Sequence, residues 1–437
     1  MAHVLLVNPW SYDFTAYDLW CKPLGLLYLG AHLARNGFKV TLLDCLSRED
    51  PDSCAPEGEG PRKLREAGCG GYYKEVLPKP FFFASIPRYF KRFGMPQERV
   101  LARLRAIDQP DIVFVTCGFT YWYPGAAVFA DLLRRIFPKA RLVLGGVYAT
   151  LCPEHAQSLG FDVVVSTADP LGVAQSLEKV LGVRLGIATY GDFFRVFPAF
   201  ELYPRLFYGV LLSSLGCPFS CTYCASRVLA PSFFQRPPEE VAAEVRYLYE
   251  RFHVQHVAFY DDALLFQAER HFLPLAEHLV RLQLPIAFHL PNGLHARYVT
   301  KEVALFLKRA RFITVRLSLE TASPEWQKRS GGKVTNELFE EAVRVLQEVG
   351  FAPKDIEVYL LFGWPRVEEG TVLASVAYVR SLGLVPRLAL YAPTPKTPDY
   401  EAFFAWESEP LWHNKIAFLY RSGWSGLYAK LQSMGKC

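Results

Sequence analysis

The sequence lacks the patterns of membrane-spanning and secreted chains. It has no apolar run of about 18 residues, the length expected of a spanning helix. Its N-terminus has no basic stretch followed by an apolar one, as a secretion signal would. We therefore expect no transmembrane segment and a cytoplasmic location.

The sequence also lacks a strong excess of charge of either sign. The net charge is only +5 over 437 residues, so without a concentrated basic patch no nucleic acid is expected as a partner. Hydrophobic residues make up 51% of the chain and charged residues 21%, which excludes an intrinsically disordered protein. This length and composition predict two or three globular domains, each with its own core.

Cysteines are few after the middle of the chain, since only Cys437 follows Cys224. This scarcity excludes a second metal cluster bound by a C-terminal extension. Without a secretion signal, the ten cysteines are expected to be reduced thiols and not disulfides.

Three of the cysteines are closely spaced in the stretch from Leu215 to Cys224, where Cys217, Cys221 and Cys224 follow each other at intervals of four and three. Gly216 allows a sharp turn, so three thiolates can point inward from one loop and hold three corners of a [4Fe–4S] cluster. No fourth cysteine follows at a matching spacing, which leaves one iron open to a substrate. The alternatives are a zinc site short of one ligand, or structural thiols.

Before this loop, apolar strands alternate with amphipathic helices. Such alternation predicts an α/β domain with a doubly wound parallel sheet, which binds ligands beyond the carboxyl ends of its strands. Three candidate binding residues stand at such ends: Thr120, Gly145 and Gly146. The glycines would let a nucleotide-like tail approach the backbone.

Starting with the strand that leads into the loop, six strand–helix units predict an open (β/α)6 barrel whose mouth lies at the carboxyl ends of its strands. The polar or glycine residues at these predicted ends are Asp261, Asp262, Asn292, Ser318, Glu320 and Gly363. Each could also be a helix cap or a member of a surface ion pair.

The CxxxCxxC spacing, with Tyr223 before the last cysteine, resembles the signature of the radical S-adenosylmethionine (SAM) enzymes. The α/β domain ahead of it resembles the cobalamin-binding branch of that family. The resemblance implies that Cys217, Cys221 and Cys224 hold the cluster, whose open iron is chelated by SAM, with Tyr223 near the adenine.

For the barrel residues, the resemblance implies that Asp261 and Asp262 meet the amino group of SAM. Ser318 and Glu320 would contact its carboxylate or ribose, and Gly363 would lie in the turn beside its adenine. Asn292 is a further candidate, and the sequence identifies no catalytic acid or base.

The resemblance also implies that cobalamin binds the N-terminal sheet, with its tail beside Gly145 and Gly146. Cobalamin domains of the mutase type have a cobalt-ligating histidine after the first strand, whereas this chain has Asn8-Pro-Trp-Ser-Tyr-Asp-Phe there. Ligation of cobalt by a histidine of this loop is thereby excluded. A degenerate domain that binds no cobalamin and only supports the barrel remains an alternative.

The predicted organisation has four parts. Residues 1–185 form a cobalamin-binding-like α/β domain with an insertion at 46–110, and residues 186–206 form a linker. Residues 207–395 form a partial radical SAM barrel. Residues 396–437 form an aromatic-rich extension, which either covers the barrel mouth as a lid or packs into the hydrophobic core.

By this resemblance, the predicted enzyme reductively cleaves SAM to a 5′-deoxyadenosyl radical, with an external flavodoxin- or ferredoxin-type electron donor. The first hypothesis is a cobalamin-dependent C-methyltransferase. The alternatives are a radical rearrangement or cyclisation, a methylthiotransferase with a second cluster on Cys21, Cys45 and Cys117, and an iron–sulfur redox sensor.

Overall fold

The computed structural model describes residues 2–51 and 66–433, which form two compact units. The first unit comprises Met1–Phe207 and Trp406–Asn414, and the second comprises Tyr208–Ala405 and Lys415–Cys437. Cys54 and Cys437 lie outside the described residues. The described chain contains no helix long and apolar enough to cross a membrane.

The first unit is built on a five-stranded parallel sheet, as the alternating pattern predicts. Its elements, in chain order, are β1 (His3–Asn8), β2 (Ser11–Asp13), β3 (Tyr17–Asp18), α1 (Leu24–Arg35), β4 (Lys39–Asp44), β5 (Gly70–Gly71), β6 (Lys74–Leu77), β7 (Phe90–Phe93), α2 (Gln97–Ala106), β8 (Ile112–Thr116), α3 (Tyr123–Ile136), β9 (Arg141–Gly145), α4 (Val147–Leu151), α5 (Pro153–Gln157), β10 (Val163–Val164), α6 (Pro170–Leu181) and α7 (Tyr190–Phe194).

The strand order in this sheet is β10-β9-β8-β1-β4, so strands are added on one side of β1 and then on the other, and the topological switch point lies between β1 and β8. In such sheets the ligand crevice opens beyond the carboxyl ends of the strands beside the switch. Val4 to Val7 of β1 are fully buried, as expected of a central strand covered on both faces.

Helix α6 shows how local sequence sets the limits of these elements. The Asp169 carboxylate accepts a hydrogen bond from the Gly172 N–H at its start, and Pro170 occupies the first turn. Gly182 ends the helix with a φ of 69°, a left-handed value that suits glycine.

The insertion at 46–110 contains more structure than the sequence pattern indicates. Strand β7 pairs antiparallel with both β2 and β6, and α2 follows. The predicted linker also contains α7 and a 3-10 helix at Phe200–Leu202. Strands this short carry little periodicity, and their pairing depends on residues far apart in sequence.

The second unit contains the predicted partial barrel. Its elements are β11 (Gly209–Leu211), β12 (Ser214–Leu215), α8 (Ser226–Leu229), β13 (Phe234–Gln235), α9 (Pro238–Phe252), β14 (His256–Phe259), α10 (Phe272–Leu282), β15 (Ala287–His289), β16 (Leu294–His295), α11 (Lys301–Arg309), β17 (Phe312–Glu320), α12 (Pro324–Arg329), α13 (Asn336–Glu348), β18 (Ile356–Phe362), α14 (Glu369–Ser381), β19 (Val385–Leu390), α15 (Pro398–Phe403), α16 (Lys415–Arg421) and α17 (Ser425–Ser433).

Six of these strands follow one another in parallel in the order β11-β14-β15-β17-β18-β19. Strand β16 adds a short parallel pairing with β17 off this path. Successive helices cover the sheet with apolar faces, such as that of α13, where Phe339, Ala342 and Leu346 are buried. The α/β fold class with an N-terminal doubly wound sheet and a six-stranded barrel is thus confirmed.

The aromatic segment near the C-terminus is divided between the two units. In the second unit, Phe404 and Phe418 pack against each other and against Tyr391. In the first unit, Trp412 contacts Phe83, and the Asn414 amide donates to Asp13. Trp406, by contrast, is 72% exposed.

Candidate functional site

The cysteine loop begins directly after the short strand β12. Strand β12 pairs antiparallel with β13 and ends at Leu215, and Gly216 follows with a φ of 77°. A Cβ on Gly216 would lie 2.6 Å from the Ser232 carbonyl oxygen, so the turn into Cys217 requires glycine.

One cavity of about 330 Å³ collects most of the residues that the sequence predicts for the site. Its walls come from the loop and from the carboxyl ends of the barrel strands. Eight predicted residues line it: Cys217, Cys221, Tyr223, Cys224, Asp262, Asn292, Ser318 and Glu320. These residues span about a hundred positions of sequence, and the parallel strands bring their carboxyl ends together.

The donor chemistry of this cavity suits an iron–sulfur cluster. Burial raises the pKa of Cys217 to about 11 and raises the pKa of Cys221, so ligation would release protons. Among the described residues, no group of three or more His, Cys, Asp or Glu side chains is gathered tightly enough to hold a metal ion as it stands. The three thiols share a cavity without converging on one point, and soft sulfur donors in one pocket fit iron.

Glu320 has the most constrained backbone in the cavity wall. It ends β17 beside a register shift against β18 and has a φ of 64°. A left-handed conformation costs a non-glycine residue about 1–2 kcal/mol, and such strain often accompanies functional sites. Its carboxylate pairs with the Lys333 ammonium at 2.6 Å, and both side chains are about nine-tenths buried.

Lys333 and His295 also line the cavity, and the sequence analysis did not select them. The only local signal for Lys333 is the glycine pair that precedes it. Burial lowers the pKa of His295 to about 3, with Lys333 and Arg297 adding to the effect, so its ring is neutral. Its Nδ1 atom is buried without a hydrogen-bond partner in the described part of the chain.

The buried Tyr223 hydroxyl shares a hydrogen bond with the Cys221 thiol. Its ring lies 5.8 Å from the Lys333 ammonium and packs edge-on against Trp364. Buried polar atoms usually have partners, so the unsatisfied Nδ1 atom of His295 suits a cavity that accepts a polar ligand.

The neighbouring aspartates at the end of β14 face different surroundings. Asp262 is exposed and lines the cavity. The buried Asp261 carboxylate instead accepts hydrogen bonds from the Ser213 N–H, the Ser213 hydroxyl and the Ser214 hydroxyl at 2.6–3.1 Å. Asp261 thus holds the chain that leads into the cysteine loop.

Asn292 and Gly363 also differ in their placement. The Asn292 amide donates to the Tyr260 carbonyl at 2.9 Å, which ties the cavity wall to the end of β14. Gly363 has a φ of 77°, and a Cβ there would lie 3.8 Å from the Trp424 ring. It is not among the residues that line the cavity.

Asp261→Asn is expected to loosen the cysteine loop, because an amide NH2 would face donors that now bind a carboxylate. We expect a loss of about 2 kcal/mol in unfolding free energy and faster loss of iron to a chelator. Asp262→Asn is the matched control, expected to leave iron retention unchanged. Equal iron retention in both variants, with equal melting temperatures, would contradict this role for Asp261.

In the first unit, the three residues predicted to meet cobalamin have unequal access. Gly145 is open, since a Cβ there would meet only Val165 at 3.9 Å. Gly146 has a φ of 90°, and its Cβ would lie 2.6 Å from the Thr116 hydroxyl, so the fold itself requires this glycine. The Thr120 hydroxyl is buried and hydrogen-bonded to His413 Nδ1 at 3.1 Å.

The cysteines proposed for a second cluster have separate surroundings. Burial raises the pKa of Cys117 to about 12, its thiol donates to the Phe119 carbonyl, and its sulfur neighbour is Cys152. Cys21 instead influences the pKa of Cys69. Among the described residues, the groups that act on the pKa of Cys45 are Asp44, Arg103, Arg92 and Asp50, and not Cys21 or Cys117. These surroundings do not support the methylthiotransferase hypothesis.

Two domain families match the chain. A family model of the radical SAM superfamily matches residues 211–378, which include the cysteine loop and all the cavity-lining residues except Ala389. A family model of the B12-binding domain matches residues 91–171, which include β8, β9 and Gly145.

Individual relatives are distant. The chain is 22% identical over 361 residues to an uncharacterized methyltransferase from Pyrococcus horikoshii, covering 74% of this chain and 73% of the relative. TsrM from Kitasatospora setae, a radical SAM methyltransferase solved with tryptophan and a SAM analogue, has a TM-score of 0.66 at 18% identity. That match covers 92% of this chain and 75% of TsrM.

OxsB, a cobalamin-dependent SAM radical enzyme solved with aqua-cobalamin and SAM, has a TM-score of 0.60 at 14% identity. The match covers 94% of this chain but only 56% of OxsB. These likenesses extend over both units and agree with the two matched domains. The chain therefore joins a B12-binding domain to a radical SAM domain, the domain pair of the cobalamin-binding branch of the radical SAM enzymes.

Proposed function

We propose that this protein is a cobalamin-dependent C-methyltransferase that uses SAM and a [4Fe–4S] cluster and acts on an unactivated carbon. The observation that carries the proposal is the single cavity lined by three cysteines and by the polar ends of the barrel strands, in a chain that also has a B12-binding domain.

In this proposal the loop cysteines hold the cluster and the strand ends hold SAM. The Asp262 carboxylate accepts from the SAM ammonium, because a cation in a half-buried cavity needs anionic acceptors. The Lys333 ammonium pairs with Glu320 and can also donate a hydrogen bond to the SAM carboxylate. Ser318 and Asn292 supply hydroxyl and amide groups for the polar edge of the ligand, and Tyr223 covers the adenine.

When bound, the reduced cluster would supply the electron that breaks a sulfonium C–S bond of one SAM, and the resulting 5′-deoxyadenosyl radical would take the hydrogen from the substrate. A second SAM would supply the methyl group by way of cobalamin and leave as S-adenosylhomocysteine. The protein orients these groups and excludes water. Gly145 offers a backbone surface without a side chain where the cofactor tail can lie.

The relatives support the transfer of a methyl group. The Pyrococcus horikoshii relative is named as a methyltransferase, and TsrM is a radical SAM methyltransferase solved with its tryptophan substrate. We do not extend tryptophan to this chain. An external one-electron donor completes the proposal, because the cluster must be reduced before each cleavage.

The deciding experiment measures the products of SAM without needing the substrate. Protein reconstituted anaerobically with iron, sulfide and cobalamin is incubated with SAM and a reductant, and the products are measured by mass spectrometry. We expect S-adenosylhomocysteine, the product of methyl donation, to form only when cobalamin is present and to approach one equivalent per cobalamin.

Gly145→Val is the informative variant, because it fills open space at the proposed tail site without a backbone clash. We expect it to lose cobalamin uptake and S-adenosylhomocysteine formation while keeping its iron. Formation of 5′-deoxyadenosine without cobalamin-dependent S-adenosylhomocysteine would favour a rearrangement or cyclisation enzyme. Absence of both products from a fully loaded protein would favour the redox sensor.

A further inference from the structure

The turn after α12 lies directly against the backbone of the cysteine loop. The Thr222 N–H donates to the Ser330 carbonyl at 3.4 Å. A Cβ on Gly331 would lie 3.2 Å from the Ser220 carbonyl oxygen and 3.4 Å from Cys221 Cα. Residues 328–332, called the basic turn below, are therefore one van der Waals layer from a cluster-ligand residue.

The basic turn is also open to solvent. Lys328, Arg329, Gly331 and Gly332 are exposed, and the two glycines carry no side chain. A Cβ on Gly332 would meet nothing within 4 Å, so a partner's surface can approach the backbone here. Electron transfer weakens steeply with distance, so a thin, open wall beside the cluster loop suits the entry of electrons.

The geometry of the basic turn is rigid. The buried Ser330 hydroxyl donates to the Gln327 carbonyl, and the Gln327 amide donates to the Thr321 carbonyl. On the other side, the Arg297 guanidinium donates to the Gly332 carbonyl at 2.9 Å. A preorganised surface of this kind binds a partner without an ordering cost.

The charge of the surface is predominantly positive. Lys328 and Arg329 end α12, and Arg297 lies beside Gly332. Glu325 is the acidic side chain on the same helix, and it pairs with Arg329 at 3.4 Å with both groups more than half exposed. Positive side chains thus surround the uncharged backbone of Gly331 and Gly332. Such a surface complements an acidic protein surface and speeds the association of the two proteins.

We infer that the basic turn is the docking surface for an acidic one-electron carrier protein, of the flavodoxin or ferredoxin class, that reduces the cluster. In the step, one electron leaves the carrier's reduced flavin or iron–sulfur centre and enters the oxidised cluster, and no proton or bond is exchanged. This inference rests on the proposed function, in which the cluster must be reduced from outside.

The test compares two charge-reversal variants of the full-length, reconstituted protein. Lys328→Glu/Arg329→Glu changes the basic turn, and Arg246→Glu/Lys301→Glu makes the same charge change at exposed positions on α9 and α11. The probe is a purified flavodoxin. Its dissociation constant and its rate of cluster reduction, followed by bleaching of the visible absorbance, are measured for each protein.

We expect the basic-turn variant to bind flavodoxin about tenfold more weakly and to be reduced by it about tenfold more slowly. Wild-type binding should weaken between about 50 and about 300 mM salt. Reduction by methyl viologen radical, a small cation that needs no docking surface, should be unchanged, and the control variant should match wild type.

Wild-type binding and reduction rates in the basic-turn variant would overturn the inference, as would an equal loss in both variants. Failure of the proposed function looks different. In that case the cluster is still reduced through the basic turn, but no cobalamin-dependent S-adenosylhomocysteine forms. If no cluster is assembled, the dissociation constants alone decide whether the basic turn binds the carrier.

Discussion

Replacing Cys217, Cys221 and Cys224 together with alanine is expected to abolish both the iron–sulfur cluster and all cleavage of SAM. Thiolates are the ligands that hold such a cluster, and the three thiols line one cavity. The measurements are iron and sulfide content after anaerobic reconstitution, the visible absorbance, and the amount of 5′-deoxyadenosine or S-adenosylhomocysteine formed.

The matched control replaces Cys45 and Cys117, which are buried in the first unit. This pair should keep the full iron content of the wild type. A loss of about half the iron would instead support a second cluster, as in the methylthiotransferase hypothesis. A triple variant that still binds four irons and consumes SAM would refute the assignment of the loop.

Lys333→Met is expected to have the second-largest effect, because it leaves the Glu320 carboxylate buried without its counter-charge. Breaking a buried ion pair from one side costs about 3–5 kcal/mol, and here it also removes positive charge from the SAM cavity. We expect a clearly lower melting temperature and weaker SAM binding, measured by thermal unfolding and by calorimetry of the reconstituted protein.

The double variant Glu320→Gln/Lys333→Met removes both charges and should recover much of the lost stability, although not SAM binding. Burial would lower the pKa of Lys333, but the Glu320 carboxylate, its hydrogen bond to the ammonium, and the Cys221 and Cys224 thiolates together raise that pKa above its usual value. The contribution of the Glu320–Lys333 ion pair to the free energy of unfolding is therefore fully present below about pH 10. It is lost only as the pH rises through the pKa that Lys333 has in the folded protein. A Lys333→Met variant as stable as wild type would contradict this account.

Much of the fold follows from local patterns. Apolar strands alternating with amphipathic helices indicate the doubly wound sheet and the six-stranded barrel, and β1, β4, β8 and β9 are strands of this alternating pattern. The short strands β2, β6 and β7 carry too few residues for a periodic signal, and their pairing joins Tyr12 to Arg92 across the insertion. Such pairings depend on tertiary contacts and not on local preference.

The candidate site divides in the same way. The spacing of the three cysteines is a property of the chain itself, so the loop could be recognised before any folding argument. Lys333 enters the cavity from a turn 13 residues beyond Glu320, and only the folded backbone brings the two charges to 2.6 Å. No sequence pattern in this chain links them.

The sequence by itself determined the cysteine loop, the two α/β units and the polar residues at the barrel strand ends. The tertiary structure decided which of those residues face the cavity. Asp261 and Asp262 are adjacent and chemically identical, yet the first binds Ser213 and Ser214 while the second lines the cavity. Successive side chains at a strand end point in opposite directions, and the partners available on each side fix what each one does.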